Sequence, residues 1–388
     1  MRELCELCRR DTLSPIYEPE PSPRGLKVHL CQHCGLVQSL PRIDRAPRKS
    51  AAVSGGADWG NVRYGKAFRT DAAMKALSRH ADFNAELSLL DVGSNRGSFV
   101  RAFLEAAPNA QVMALEPDER VADSCRGLDR TGLIPARIED AALETGRFDI
   151  IHSCHTIEHL AHPQAVLADH WRTLKTGGLL LIDAPNIAIL DEDDIVEEWF
   201  IDKHLHHFSA RTLIRMVRAA GFDIVEPPDA NDRANVLIVA RKAQAAIRAC
   251  DDDPLEVAEV ERLIAAYGAA RARNLCALTA LAAEIARMAP KGVAIWGAGR
   301  LFDTLVTHGG LEPAILSSLI DKHLKQYVAE RHGRALEEPA ALAQSKPGVV
   351  VVMSRGFAHE IADEAKTLAP QAEILFYSEL MARAREAA

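Results

Sequence analysis

One segment constrains this chain more than any other: Leu89-Leu90-Asp91-Val92-Gly93-Ser94-Asn95-Arg96-Gly97-Ser98-Phe99, followed by Glu116. An apolar run ends at an acidic residue, turns through glycines and restarts as an amphipathic stretch to about Pro108. A second apolar run, Gln111 to Leu115, then ends on Glu116. The order reads as strand, tight turn, helix, strand. That is the opening half of a doubly wound α/β sheet, whose ligand lies over the carboxyl ends of the strands. Gly93 and Gly97 let backbone come close to a ligand, and Asn95 is a non-glycine residue that tolerates a left-handed turn. Glu116 stands 19 residues beyond Gly97, where a strand-end carboxylate accepts hydrogen bonds from two ribose hydroxyls.

The glycine spacing discriminates between adenosine cofactors. A dinucleotide site wants G-x-G-x-x-G, with a glycine where the pyrophosphate meets backbone. Here the pattern is G-x-x-x-G, preceded by Asp91. A carboxylate there repels a pyrophosphate and suits a cation carrying an amine and a sulfonium. The pattern predicts S-adenosylmethionine rather than NAD.

A second constellation runs from Arg147-Phe148-Asp149 through His155-Thr156-Ile157-Glu158-His159-Leu160, with His162-Pro163 beyond. It reads as a buried strand entering a polar turn. A helical stretch to Leu174, the Gly177-Gly178 turn and a strand from Leu179 to Ile182 follow. This order resembles the core of class I S-adenosylmethionine-dependent methyltransferases over residues 67–242. The resemblance implies that Asp91, Gly93, Ser94, Asn95 and Gly97 surround the methionine end and that Glu116 binds the ribose. It also implies that Glu139 or Asp140 lies near the adenine and that the turn at His155 faces the methyl group.

Composition is that of a soluble globular protein: 48% hydrophobic, 26% charged, net charge −8 over 388 residues. No basic block marks a nucleic-acid groove, and no run approaches the roughly 18 apolar residues of a membrane span. The N-terminus lacks a signal-peptide core, so a cytoplasmic location is expected. In that compartment Cys5-x-x-Cys8 and Cys31-x-x-Cys34 read as four thiolates around structural zinc rather than as disulfides. Cys125, Cys154, Cys250 and Cys276 lack partners at metal spacing and read as ordinary thiols. The expected domains are a zinc module (1–45), a linker (46–66), the methyltransferase core (67–242), a helical connector (243–290) and a C-terminal α/β lobe (291–388). Trp59 and Tyr64 either close over the cofactor or pack on the first helix. In the lobe, Gly297-Ala298-Gly299 precedes a helix. It reads as a phosphate-binding turn or as the turn of a Rossmann-like lobe that contacts substrate without a second cofactor.

The whole order, cysteine module, methyltransferase core and Gly-Ala-Gly lobe, resembles the sugar C-methyltransferases. The resemblance implies a nucleotide-linked keto-deoxysugar as the small-molecule substrate. Aligned back from Phe208-Ser209, it implies His204 as the base. Ile201 and Lys203 depart from the family's tyrosine and glutamate, and the His155 turn replaces an Asn-containing one. Ser209 caps a helix from Ala210 to Ala219. Two other readings stand beside this one. The first is a sugar or small-molecule O-methyltransferase, metal-assisted through His155, Glu158 and His159. The second is a degenerate, non-catalytic binding module.

Overall fold

The computed structural model describes residues 3–20, 22, 24–41, 69–243, 250–326, 328–355 and 357–387. The expected linker 46–66, with Trp59 and Tyr64, lies outside these residues. The described residues divide into two units, the first holding those up to Leu190 together with Glu198–Ile264, the second holding Asp191–Glu197 and those from Ala265 onward.

The first unit opens with three antiparallel strands, β1 (Leu13–Tyr17), β2 (Lys27–Cys31) and β3 (Val37–Leu40). The main sheet then begins with β4 (Ser88–Val92), β5 (Gln111–Leu115), β6 (Thr131–Ile134), β7 (Phe148–Cys154) and β8 (Leu174–Pro185), all parallel. The two-residue β9 (His206–His207) returns to β3, and β10 (Phe222–Glu226) and β11 (Asn235–Lys242) complete the main sheet. Its order is β10-β11-β8-β7-β4-β5-β6, with β11 antiparallel to both neighbours. This is the Rossmann-like class I methyltransferase fold.

Near-continuous apolar runs produce these strands, as parallel strands covered on both faces require. Leu89, Leu90 and Val92 of β4 are all essentially buried. The helix Ser98–Ala106 presents Phe99, Val100, Phe103 and Leu104 to the core and stops before Pro108, whose ring disfavours helical backbone at Ala107. Ser209 caps the helix Ala210–Ala219 in a reciprocal box with Thr212, as its sequence predicts. One boundary differs from expectation. β8 starts at Leu174 rather than Leu179 and runs through Gly177-Gly178, because Leu174 already pairs with Phe148 before the register shifts.

The chain runs outward from β4 through β5 and β6, then returns to place β7 on the other side of β4. That switch point sets the turn after β4 beside the turn after β7, where open α/β sheets bind ligands.

Over the region expected as a connector, a single helix spans Pro254–Met288. The second unit holds a parallel sheet in the order β13-β12-β16-β17. These strands are β12 (Val293–Trp296), β13 (Ser318–Ile320), β16 (Val349–Val352) and β17 (Glu373–Phe376), with a hairpin of β14 (Glu330–Arg331) and β15 (Arg334–Ala335). Among the described residues no helix is long and apolar enough to cross a membrane.

Candidate active site and cysteine cluster

The turn after β4 holds three left-handed residues, Gly93 (φ 69°), Asn95 (φ 48°) and Gly97 (φ 71°). A Cβ on Gly97 would meet the Cys125 sulfur at 2.7 Å, so the glycine answers both a conformational and a steric demand. The Glu116 carboxylate closes the turn from the end of β5. Its Oε2 accepts from the Asn95 N–H at 2.8 Å, and its Oε1 accepts from the Asp118 N–H at 2.8 Å. These bonds fix its orientation. Ser94 is buried beside Cys125, 3.9 Å from its sulfur. Glu139 and Asp140 lie on the short turn Ile138–Asp140, which follows β6 and neighbours the end of β5.

Asp91 is 1% exposed, and its Oδ1 accepts from Nδ1 of His152 at 2.6 Å. The His152 ring in turn stacks on Phe99 with centroids 3.6 Å apart. Oδ2 of Asp91 is buried and has no hydrogen-bond partner among the described residues. A buried carboxylate oxygen is costly without a donor. An amine brought to this strand end would satisfy it, so the turn fits the methionine end of S-adenosylmethionine.

Four residues that sequence reasoning separated into rival schemes meet in one cluster. His155 leaves β7 with left-handed backbone (φ 44°), its N–H bonded to the Asp183 carbonyl at 2.8 Å. Thr156 donates to the Val92 carbonyl at 3.3 Å, tying this turn to the glycine turn. Glu158 is 1% exposed and sits between two imidazoles, 3.8 Å from Nδ1 of His155 and 3.5 Å from Nε2 of His159. His155 Nε2 donates to the Asn235 amide oxygen (3.0 Å), and His159 Nδ1 donates to the Lys203 carbonyl (2.9 Å). The other nitrogen of each ring faces Glu158. His204 packs on His159 with centroids 4.9 Å apart. Burial holds His204 well below the ordinary histidine pKa, with the neighbouring His159 and Lys203 acting in the same direction. Two trios have ligand atoms within 4.8 Å of one another, Glu158 with His159 and His204, and Cys154 with His155 and Asp183, so in the first of them His204 takes the place that the sequence reading assigned to His155.

Sequence reasoning missed the polar scaffold beneath. Arg69 bonds Asp183 through Nε (2.5 Å) and Asp232 through Nη1 (2.9 Å), and Asp232 accepts from the Asn235 side chain at 3.3 Å. This chain reaches His155. Burial pushes the Asp183 carboxyl up, and Arg69 opposes that shift. None of these residues carries a local motif, and only the sheet register brings them together.

Cys5, Cys8, Cys31 and Cys34 form one cluster with sulfurs within 4.8 Å of one another, 3.5 Å for Cys5–Cys34 and 3.6 Å for Cys8–Cys31. All four are free thiols. Tetrahedral Zn–S bonds give sulfur–sulfur edges of about 3.8 Å, so the spacing and donor set fit zinc. The cluster splits its own thiols: the hydrogen bond to Cys31 drives Cys5 far up, while hydrogen bonds from Cys34, Cys5 and Cys8 drive Cys31 far down. The fifth cysteine, Cys250, is not the isolated thiol its spacing suggested. It lies close enough to push the Cys34 thiol up, and it accepts from Arg215 at 3.0 Å.

In the second unit, the Gly297 turn is filled by protein. A Cβ there would meet the Met353 carbonyl oxygen at 2.4 Å. Asp321, at the end of β13, accepts from the backbone N–H groups of Ala298, His323 and Leu324 at 2.8–3.2 Å. Its carboxylate braces the turn, where a dinucleotide site would turn such a group to a ribose.

Residues 66–227 match a family model described as a methyltransferase domain. The 2-O-methyltransferase NoeI of Sinorhizobium fredii (strain NBRC 101917 / NGR234) is 43% identical over 65 residues, 16% of this chain and 26% of that protein. The chain thus spans about a quarter of the length of this curated relative. Among solved structures, an S-adenosylmethionine dependent methyltransferase from Mesorhizobium loti shares 20% identity at a TM-score of 0.37, covering 44% of this chain and 99% of that one. A SAM dependent methyltransferase from Aquifex aeolicus shares 15% at 0.38, covering 49% and 100%.

Proposed function

We propose that this methyltransferase domain moves a methyl group from S-adenosylmethionine to a nucleotide-linked (keto)deoxysugar, methylating carbon through an enolate that His204 forms. The observation that carries the reading is the neutral, half-buried His204, packed against His159 in a cluster tied by Thr156 to the cofactor turn. Asp91 Oδ2 is an acceptor for the cofactor's amine, and Glu116, already oriented by Asn95 and Asp118, is placed for the ribose. Glu139 or Asp140 would border the adenine. The four-cysteine module would hold one structural zinc ion, with no open position for catalysis, and the C-terminal lobe would contact the substrate.

When bound, S-adenosylmethionine supplies an electrophilic methyl group. The chain's own task is then to orient the acceptor and remove one proton. A hydrogen on carbon beside a ketone is acidic enough for a neutral imidazole to remove. Burial keeps His204 unprotonated for that step, and Glu158 stabilises positive charge arising among the histidines. Mass spectrometry of products from a panel of nucleotide-linked sugars tests the reading. A mass gain of one methyl group on carbon of a keto sugar is expected, and no gain on any keto sugar overturns it.

A second reading is favoured by one observation. The ligand atoms of Glu158, His159 and His204 lie within 4.8 Å of one another, a donor set that suits a divalent metal. Glu158, His159 and His204 would then hold a metal and assist methyl transfer to a hydroxyl. The name of the NoeI relative, a 2-O-methyltransferase, points the same way. Dependence of turnover on added divalent metal separates the two.

A further inference from the structure

The segment that carries His204 takes its shape from the cysteine module, although more than 150 residues separate them in the chain. His206 and His207 form β9, the fourth strand of the module's sheet, pairing with Gln38 and Val37. The Ser39 N–H donates to the Leu205 carbonyl at 3.0 Å, and the Ser39 hydroxyl lies 2.9 Å from Nε2 of His207. At the other end of the segment, Tyr17 donates to Glu198 at 3.0 Å and packs at a tilt against Phe200, ring centroids 5.2 Å apart. Between these contacts Asp202, two residues before His204, accepts from the Ser22 hydroxyl at 2.7 Å and from the Arg24 N–H at 2.8 Å. The cysteine cluster is built into the same strands: Cys31 ends β2, and Gly35, one residue past Cys34, is so close to Glu256 that a Cβ would meet it at 2.3 Å. Glu256 in turn bonds Ser209, the residue that closes the histidine segment.

We infer that the cysteine module is a positioning element of the acceptor site: with its metal bound, it holds His204 against His159 and Glu158 through Ser22, Asp202 and Ser39. The glycine turn, by contrast, is braced by Glu116 within the main sheet and makes none of these contacts. Metal loss therefore uncouples acceptor chemistry from cofactor binding. The inference rests on His204 being the base, but its first test does not.

Hydrogen–deuterium exchange of the full chain, with and without chelator, reads backbone protection directly. Stripping the metal is expected to raise exchange at least tenfold in peptides covering 199–209. Peptides covering 88–106 should stay protected, and S-adenosylhomocysteine affinity should change less than threefold. Protection of 199–209 that survives stripping overturns the inference, as does a parallel loss of cofactor affinity. A milder variant tests the contact itself in zinc-loaded protein. Ser22→Ala is expected to lower kcat about tenfold at unchanged KM for S-adenosylmethionine, with Ser22→Thr restoring it. An unchanged kcat in Ser22→Ala, while chelation still deprotects 199–209, overturns the role of the Ser22–Asp202 contact.

Discussion

The backbone N–H of Asn95 donates to the carboxylate of Glu116 across 2.8 Å, joining the left-handed centre of one turn to the end of the neighbouring strand. The bond orients the turn, and under the proposed function the same carboxylate would receive the ribose.

Glu116→Ala therefore removes a loop brace together with a cofactor contact. Charge-assisted bonds contribute about 1.5–3 kcal/mol each, so calorimetry should show S-adenosylhomocysteine binding weakened at least tenfold. Glu116→Gln keeps one acceptor and should fall between. Unchanged affinity in Glu116→Ala would remove this residue from the site.

The cysteine cluster predicts one equivalent of zinc per chain. Cys31→Ser should abolish it in metal analysis, and chelation should lower the unfolding temperature, because metal binding energy contributes to folding. A metal content near zero in freshly purified wild type contradicts the assignment.

Two buried histidines set a pH dependence of stability. Burial lowers His170 to about 4 and His207 to about 3, against an ordinary 6.5. The folded state favours the neutral form, so this stabilisation is complete above pH 6.5. It is lost as pH falls from 6.5 through the folded values. For His170 alone the loss amounts to about 3 kcal/mol by pH 4. Urea unfolding should show midpoints falling between pH 7 and 5, and His170→Leu should flatten that fall. A midpoint independent of pH over this interval contradicts it.

The acid limb of activity should follow His204. Because burial pushes its pKa below the ordinary value, kcat/KM should not decline with an apparent pKa near 6.5. A decline centred there would make a different histidine the base.

The sequence made the turn after β4 legible because its constraint is local. Positive φ at positions 93, 95 and 97 demands glycine or asparagine, and Glu116 ends the next strand at a fixed distance. Paired Cys-x-x-Cys knuckles were legible for the same reason. What stayed hidden depends on register between distant segments. Asp91 meets His152 because β4 pairs with β7, and Arg69 reaches both Asp183 and Asp232. The histidines at 155, 159 and 204 looked like competing candidates, since nothing local says that the segment at 204 folds back over Glu158. Its Leu205 N–H donates to the Glu158 carbonyl at 2.7 Å, a contact made possible by β9 joining the module's sheet. Cys250 escaped notice because its proximity to Cys34 is likewise tertiary.

Solvent-deuterium exchange at the carbon beside the ketone tests the central claim most directly, using a nucleotide-linked keto sugar with S-adenosylhomocysteine in place of the methyl donor. Enolisation by His204 predicts exchange by wild type and its loss in His204→Ala. Turnover in that variant should also fall roughly 10²–10⁴-fold while cofactor affinity is kept. If no keto sugar exchanges, and turnover instead requires added divalent metal and Glu158, the base mechanism is contradicted and the Glu158–His159–His204 trio is a metal centre.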